Sequence, residues 1–145
     1  MKFFAHEPVM AMLSYSNFGS DKQGSPLKVH EAIDFLHKTY PDMVVDGEMQ
    51  VNFALDKKLR DDMYPFNKLK GQDVNTLIFP NLSSANSAYK LLDTLGITET
   101  IGPIQMGLNK PIHFTDVESS TRDIVNLTTV AVVDAIVQEQ IEKEG

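Results

Sequence analysis

The chain alternates short apolar runs with segments of helical periodicity, and that alternation limits the folds open to it. Residues 9–15 (VMAMLSY), 43–46 (MVVD) and 74–79 (VNTLIF) have the length and β-branched content of buried strands. Between them, Ser25-Pro26 opens a helix whose Leu27, Val29, Ala32, Ile33, Leu36 and Tyr40 recur at helical spacing before Pro41. Residues 52–63 read as one polar helix ending near Pro65. Ser83 or Ser84 caps a further helix through Leu95, with Gly96 past its end and Ala85, Ala88, Tyr89, Leu91 and Leu92 available for its inner face. The order β-α-β-α-β-α predicts an α/β fold with a mostly parallel sheet covered on both faces. Residues 100–106 and 111–115 are two more apolar segments, the second read as a strand holding a core His113, and a long helix over about 120–143 follows.

That final helix is unusually apolar in its first half. Ile124, Val125, Leu127, Val130, Ala131, Val132, Val133, Ile136 and Val137 cover more than one stripe, so surplus surface needs a cover from this domain, a second copy or a neighbouring segment.

With 145 residues, one globular core is expected, and 42% hydrophobic residues with 8 Phe can supply it. A formal net charge of -7 argues against binding a phosphate backbone, so no nucleic-acid partner is expected. No cysteine is present, which removes disulfides and thiolate metal sites and agrees with a reducing, cytoplasmic setting. No signal-like stretch opens the chain, and no run of about 18 consecutive apolar residues suggests a membrane partner.

Four motifs occur in order: Leu13-Ser14-Tyr15-Ser16-Asn17-Phe18-Gly19-Ser20, Val45-Asp46-Gly47-Glu48-Met49, the 79–90 run FPNLSSANSAYK, and the 101–126 block IGPIQMGLNKPIHFTDVESSTRDIVN. Together they resemble the phosphotransacetylase (phosphate acetyl/butyryltransferase) family, over roughly residues 9–137. Asn17-Phe18-Gly19-Ser20, Asp46-Gly47-Glu48-Met49, Ala85-Asn86 and the ending Ala131-Val132-Val133-Asp134-Ala135 are most similar to one branch, the phosphotransacetylase-like C-terminal domain of bacterial NADP-dependent malic enzymes. The resemblance implies a three-layer αβα fold, isocitrate/isopropylmalate dehydrogenase-like as in phosphotransacetylases. It further implies that residues 1–145 are a single fragment of such a domain: about 9–115 one α/β subdomain, about 116–145 a helix returning toward a second, missing subdomain.

The same resemblance implies a chemistry that this chain departs from. Acetyl transfer between CoA and phosphate needs a base for the thiol, a cationic clamp for the phosphate and a donor for the oxyanion. Asp123 matches the family's base position. Where the family carries a Ser-Arg pair, this chain has Asp116 and Val117. Valine cannot form the bidentate fork that grips phosphate oxygens, and an ionised Asp116 repels phosphate and donates nothing. The two arginines, Arg60 and Arg122, stand elsewhere.

The resemblance therefore implies an acetyl-CoA-responsive regulatory and oligomerisation domain without turnover. Ligand-binding positions are Ser14, Ser16, Ser84, Asn86, Gly102, Pro103, Gly107, Asn109, Lys110, Ser119 and Ser120. The segment itself needs no cofactor or metal. NADP and a divalent metal belong to an upstream malic enzyme domain of the same chain, the implied partner alongside further copies of the chain in a homo-oligomer. An active phosphate acetyltransferase fragment and a purely structural assembly domain are the alternatives. Two local readings also stay open: Ser120-Thr121-Arg122-Asp123 as a capping box rather than a catalytic site, and His30 and His37 as solvated helix surface.

Overall fold

A computed structural model describes residues 6–144, which form two compact units: residues 7–91, and 92–144 with His6. The first holds the sheet. Strand β1 (Met10–Leu13) lies at its centre, with β2 (Val45–Met49) on one side and β3 (Thr76–Ile78) on the other, both parallel to it. Parallel neighbours need crossovers. Helix α1 (Gly24–Thr39) makes the first, and the short helices α2 (Val51–Leu55) and α3 (Lys57–Met63) lie in the second. Helix α4 (Leu82–Thr94) follows β3.

Pro26 stands in the first turn of α1, where its missing N–H costs nothing, and Pro26, Val29 and Ile33 are its buried residues. The apolar spacing read from the sequence is therefore the packed face. Ala11, Leu13, Met49, Ala54 and Leu69 form the central cluster, with Phe18, Phe53, Leu77 and Phe79 packed around it. Full burial of a side chain of Leu or Met size contributes about 1.5–3 kcal/mol.

The second strand sits later in the chain than expected, ending at Met49 rather than Asp46, and all five of its residues are buried. Gly47 makes this possible. Its φ is +150°, and a Cβ there would lie 2.5 Å from the Met12 carbonyl oxygen. Next to it the pairing shifts register, Met12 facing Gly47 while Leu13 faces Met49. Hydropathy alone placed the polar Glu48 outside the strand.

Residues 52–63 form two helices rather than one, because Asp56 leaves helical geometry and caps α3 by accepting from the Leu59 N–H at 2.9 Å. Arg60, fully buried, fills the resulting corner. It donates to the carbonyls of Leu69 at 2.9 Å and Gln72 at 2.7 Å, and to Asp61 at 3.2 Å. Burial raises the Asp61 pKa, but the Gly71 N–H, the Asn67 amide and Arg60 outweigh it, and the carboxyl is held below its ordinary value.

The cap of α4 is Asn81, two residues ahead of the first serine expected in that role. Its Oδ1 accepts the Ser84 N–H at 2.9 Å.

In the second unit, residues 100–115 are irregular and contain no strand, which corrects the reading of 111–115 as a strand. Short apolar runs predict strands only where neighbours complete the ladder. Helix α5 (Thr121–Glu144) takes the expected span. Leu127 is buried, while Ile124, Val125, Val132, Val133, Ile136 and Ile141 are exposed. Residues Thr121–Lys143 reach the length and mean hydropathy of a membrane span despite lacking a long unbroken apolar run, weak evidence from one helix.

Replacing Gly47 with Ala should destabilise the protein by about 2 kcal/mol or more, since the added Cβ meets backbone rather than a flexible side chain. A shift of the urea midpoint at constant slope measures it. Arg60→Ala should cost about 3 kcal/mol, because buried carbonyls lose their donor.

Candidate functional site

In the first unit, the loop after β1 (residues 14–20) carries Ser14 and Ser16. Ser14 is half-buried, and its Oγ accepts the Ser16 N–H at 3.3 Å. Ser16 is 2% exposed. Its hydroxyl donates to Glu48 Oε1 at 3.0 Å, pairs with the Ser20 hydroxyl at 2.9 Å and accepts the Asp21 N–H at 2.9 Å. Ser16 therefore shapes the loop from within, and the exposed residues of the loop are Tyr15 and Ser20.

Tyr15 is exposed, and its hydroxyl donates to Asp21 at 2.9 Å, which raises the phenol pKa. Phe18, at φ 45°, stacks against Tyr64 and Phe66 at 4.7 and 5.3 Å between ring centres. Ser84 lies in the first turn of α4, where its hydroxyl donates to the Asn81 carbonyl at 2.9 Å, and Asn86 is exposed on the same helix.

Of the two helix-face histidines, neither is simply solvated. His30 Nδ1 lies 3.1 Å from Glu48 Oε2, and His37 Nε2 donates to the Val45 carbonyl at 2.8 Å. Both tie α1 to β2.

The second unit carries the remaining positions. Asp116 and Val117 sit in a turn just before α5. The Ser119 Oγ accepts the Asp116 N–H at 2.9 Å, and Asp116 Oδ1 accepts the Val117 N–H at 2.6 Å. The Val117 side chain stands fully in solvent. Ser120 and Asp123 cap α5 reciprocally: Asp123 Oδ2 accepts the Ser120 N–H at 2.8 Å and hydroxyl at 2.6 Å, and Ser120 Oγ accepts the Asp123 N–H at 3.2 Å. Hydrogen bonds from Ser120 hold the Asp123 carboxyl below the ordinary carboxylate value. The capping-box reading is thus realised.

Arg122 pairs with Glu99, and this partnership lowers the Glu99 pKa and raises that of Arg122. With Arg60 buried among carbonyls, both arginines of the chain already have partners.

Gly102 and Gly107 have φ of +154° and +83°, conformations suited to glycine, with Pro103 following the first. Asn109 is exposed, and Lys110 Nζ lies 3.5 Å from Glu142. Gly107 and Lys110 also border a small cavity of about 60 Å³ with Met106, His113, Val130 and Asp134. Both His113 ring nitrogens are buried there without a hydrogen-bond partner.

Residues 1–132 match one family, the phosphate acetyl/butaryl transferases. The chain belongs to that family. Among phosphotransacetylase structures it is similar to one from Streptococcus pyogenes, at 38% identity and a TM-score of 0.83, over 93% of this chain and 41% of that one. The EutD phosphotransacetylase from Staphylococcus aureus superposes with a TM-score of 0.83 at 32% identity, over 92% and 42%. The αβα class follows from these matches.

Among named relatives, the NADP-dependent malic enzyme of Salmonella typhimurium is 40% identical over 135 residues, 91% of this chain and 17% of that protein. The Escherichia coli enzyme of the same name is 39% identical, over 93% and 18%. The phosphate acetyltransferase of Clostridium acetobutylicum is 38% identical, over 89% and 38%. The chain therefore spans less than a fifth of the malic enzymes and about two fifths of the acetyltransferase and of the solved phosphotransacetylases.

Sequence reasoning missed Glu48, which accepts from Ser16 and Gly19 of the 14–20 loop, and His30, which faces Glu48. The available signal was an acidic residue inside a strand-like motif, Asp46-Gly47-Glu48-Met49, that a purely structural strand does not need.

The depressed Asp123 pKa fixes the sign of an acid effect. Its capping contribution is present above the unfolded carboxylate value of about 3.9 and is lost as pH falls through the lower folded value. Far-UV circular dichroism should show α5 fraying in Asp123→Ala already at neutral pH, with the difference from wild type shrinking below about pH 4.

Proposed function

We propose that this segment is an acetyl-CoA-responsive regulatory and oligomerisation domain of an NADP-dependent malic enzyme, binding the ligand without converting it. The parent chain would carry out the oxidative decarboxylation of malate to pyruvate in the cytoplasm, with NADP and a divalent metal held by its upstream domain. The ligand positions proposed are Ser14, Ser84, Asn86, Gly102, Pro103, Gly107, Asn109, Lys110, Ser119 and Ser120, with Ser16 acting behind them.

One observation carries the loss of turnover. At the position of the family's arginine stands Val117, an aliphatic side chain projecting into solvent beside the Asp116 carboxylate. Neither arginine replaces the fork, since Arg122 is held by Glu99 and Arg60 is enclosed by carbonyls. A site lacking one such transition-state donor loses about 10²-fold or more in rate. Asp123 at the base position is committed to the helix cap, where it accepts two hydrogen bonds from Ser120. The identity of about 40% to two malic enzymes supports the choice of parent.

A second reading, an active phosphate acetyltransferase fragment, is favoured by the 38% identity to the Clostridium acetobutylicum enzyme. The exposed apolar side chains of α5 support assembly as part of the role.

Calorimetry with acetyl-CoA on the full-length protein, together with an acetyl phosphate assay on the same sample, separates these readings. Micromolar binding without turnover is expected; turnover would establish the acetyltransferase, and neither would leave assembly alone. In the same protein, Asp116→Ser combined with Val117→Arg should create measurable phosphate affinity, and unchanged affinity would break the correspondence of these two positions with the family pair.

A further inference from the structure

We propose that Glu48 and His30 are positioning residues that set the 14–20 loop from behind, so that β2 and α1 together template its outward face. The inference rests on the reading that this loop contributes to an acetyl-CoA site.

The loop contains no regular structure of its own, and its shape is dictated from the end of β2. The Ser14 N–H donates to the Met49 carbonyl at 2.9 Å, and the Phe18 N–H to the Glu48 carbonyl at 2.7 Å. In return, the Gln50 N–H donates to Asn17 Oδ1 at 2.8 Å, and the Gln50 amide to the Tyr15 carbonyl at 2.6 Å. Three consecutive residues of one strand end thus address four residues of the loop.

Glu48 is the side chain at the centre. It is wholly enclosed, at 0% exposure, although carboxylates are seldom buried without compensation. Oε1 accepts both the Ser16 hydroxyl and the Gly19 N–H. Oε2 faces His30 Nδ1 at 3.1 Å. The Ser16 hydroxyl then relays to Ser20 and Asp21 at 2.9 Å each. A carboxylate used this way cannot also meet a ligand. Its function is to convert the position of α1 into the position of the loop.

His30 is the outer handle of that arrangement. Its side chain is 45% exposed, with Asp34 on the next turn at 3.9 Å, so removing it opens no core cavity. What it supplies is the hydrogen-bonding partner of Oε2, which fixes the carboxylate plane and hence the direction of Oε1. Hydrogen bonds to charged groups contribute about 1.5–3 kcal/mol each, equivalent to roughly tenfold or more in an equilibrium.

The experiment uses full-length protein and the variants His30→Ala, Glu48→Ala and Glu48→Gln, with three readouts: amide exchange across residues 14–21, acetyl-CoA affinity and thermal midpoint. For His30→Ala, exchange in the loop should accelerate about tenfold and affinity should fall by a similar factor, with the midpoint lowered by only about 3–6 °C. Glu48→Gln should retain most loop protection, because a carboxamide oxygen still accepts from Ser16 and Gly19, whereas Glu48→Ala should lose it. Should Glu48→Ala not fold, the contrast between His30→Ala and Glu48→Gln decides the matter. Loop exchange unchanged in His30→Ala, or affinity lost only in step with the thermal midpoint, overturns the proposal. Absence of acetyl-CoA binding by wild type would end the ligand reading, and the exchange data would still decide whether these two residues set the loop.

Discussion

The contact between the Gly47 backbone and the Met12 carbonyl is the constraint on which the sheet unit depends. A parallel pair of strands needs regular spacing, and here one residue without a side chain lets β2 press against β1. The register slips by one at that point, and Glu48, beside the slip, is wholly enclosed. An enclosed carboxylate then has to find donors, and the nearest ones belong to the loop that leaves β1. Loop shape is therefore a consequence of strand packing rather than of loop sequence.

Much of the first unit is written plainly in the residues. The β-α-β-α-β-α order, Pro26 at the start of α1 and the Val29–Ile33 face are all recoverable from periodicity, because burial there is apolar and one-sided. Periodicity failed where polar groups are buried. It missed the Gly47–Glu48 half of β2, and it fused α2 with α3 because Asp56 and Arg60 look like ordinary surface charges in a polar helix. An enclosed Arg60 that donates to the carbonyls of Leu69 and Gln72 has no hydropathy signature.

The candidate site divides along similar lines. Ser120 and Asp123 could be read directly, since a capping box is a local pattern whose partners are three residues apart. Asp116 and Val117 drew attention only by comparison with a family pattern, and their conformation adds that Val117 is unsupported by any packing. Glu48 and His30 lie 18 residues apart in the chain, beyond the reach of local patterns. The segments at 100–115 misled because apolar composition was taken for strand formation, whereas the chain there is irregular.

The division of the chain at residues 91 and 92 also orders events in time. During synthesis, every strand, both crossovers and Arg60 with all its carbonyl partners leave the ribosome before α5 is made. The sheet unit therefore has its full complement of internal partners while α5 is still being translated. The exposed valines and isoleucines of α5 emerge only after the residues of the sheet unit's core, which shortens the interval in which two unfinished hydrophobic surfaces could stick to each other.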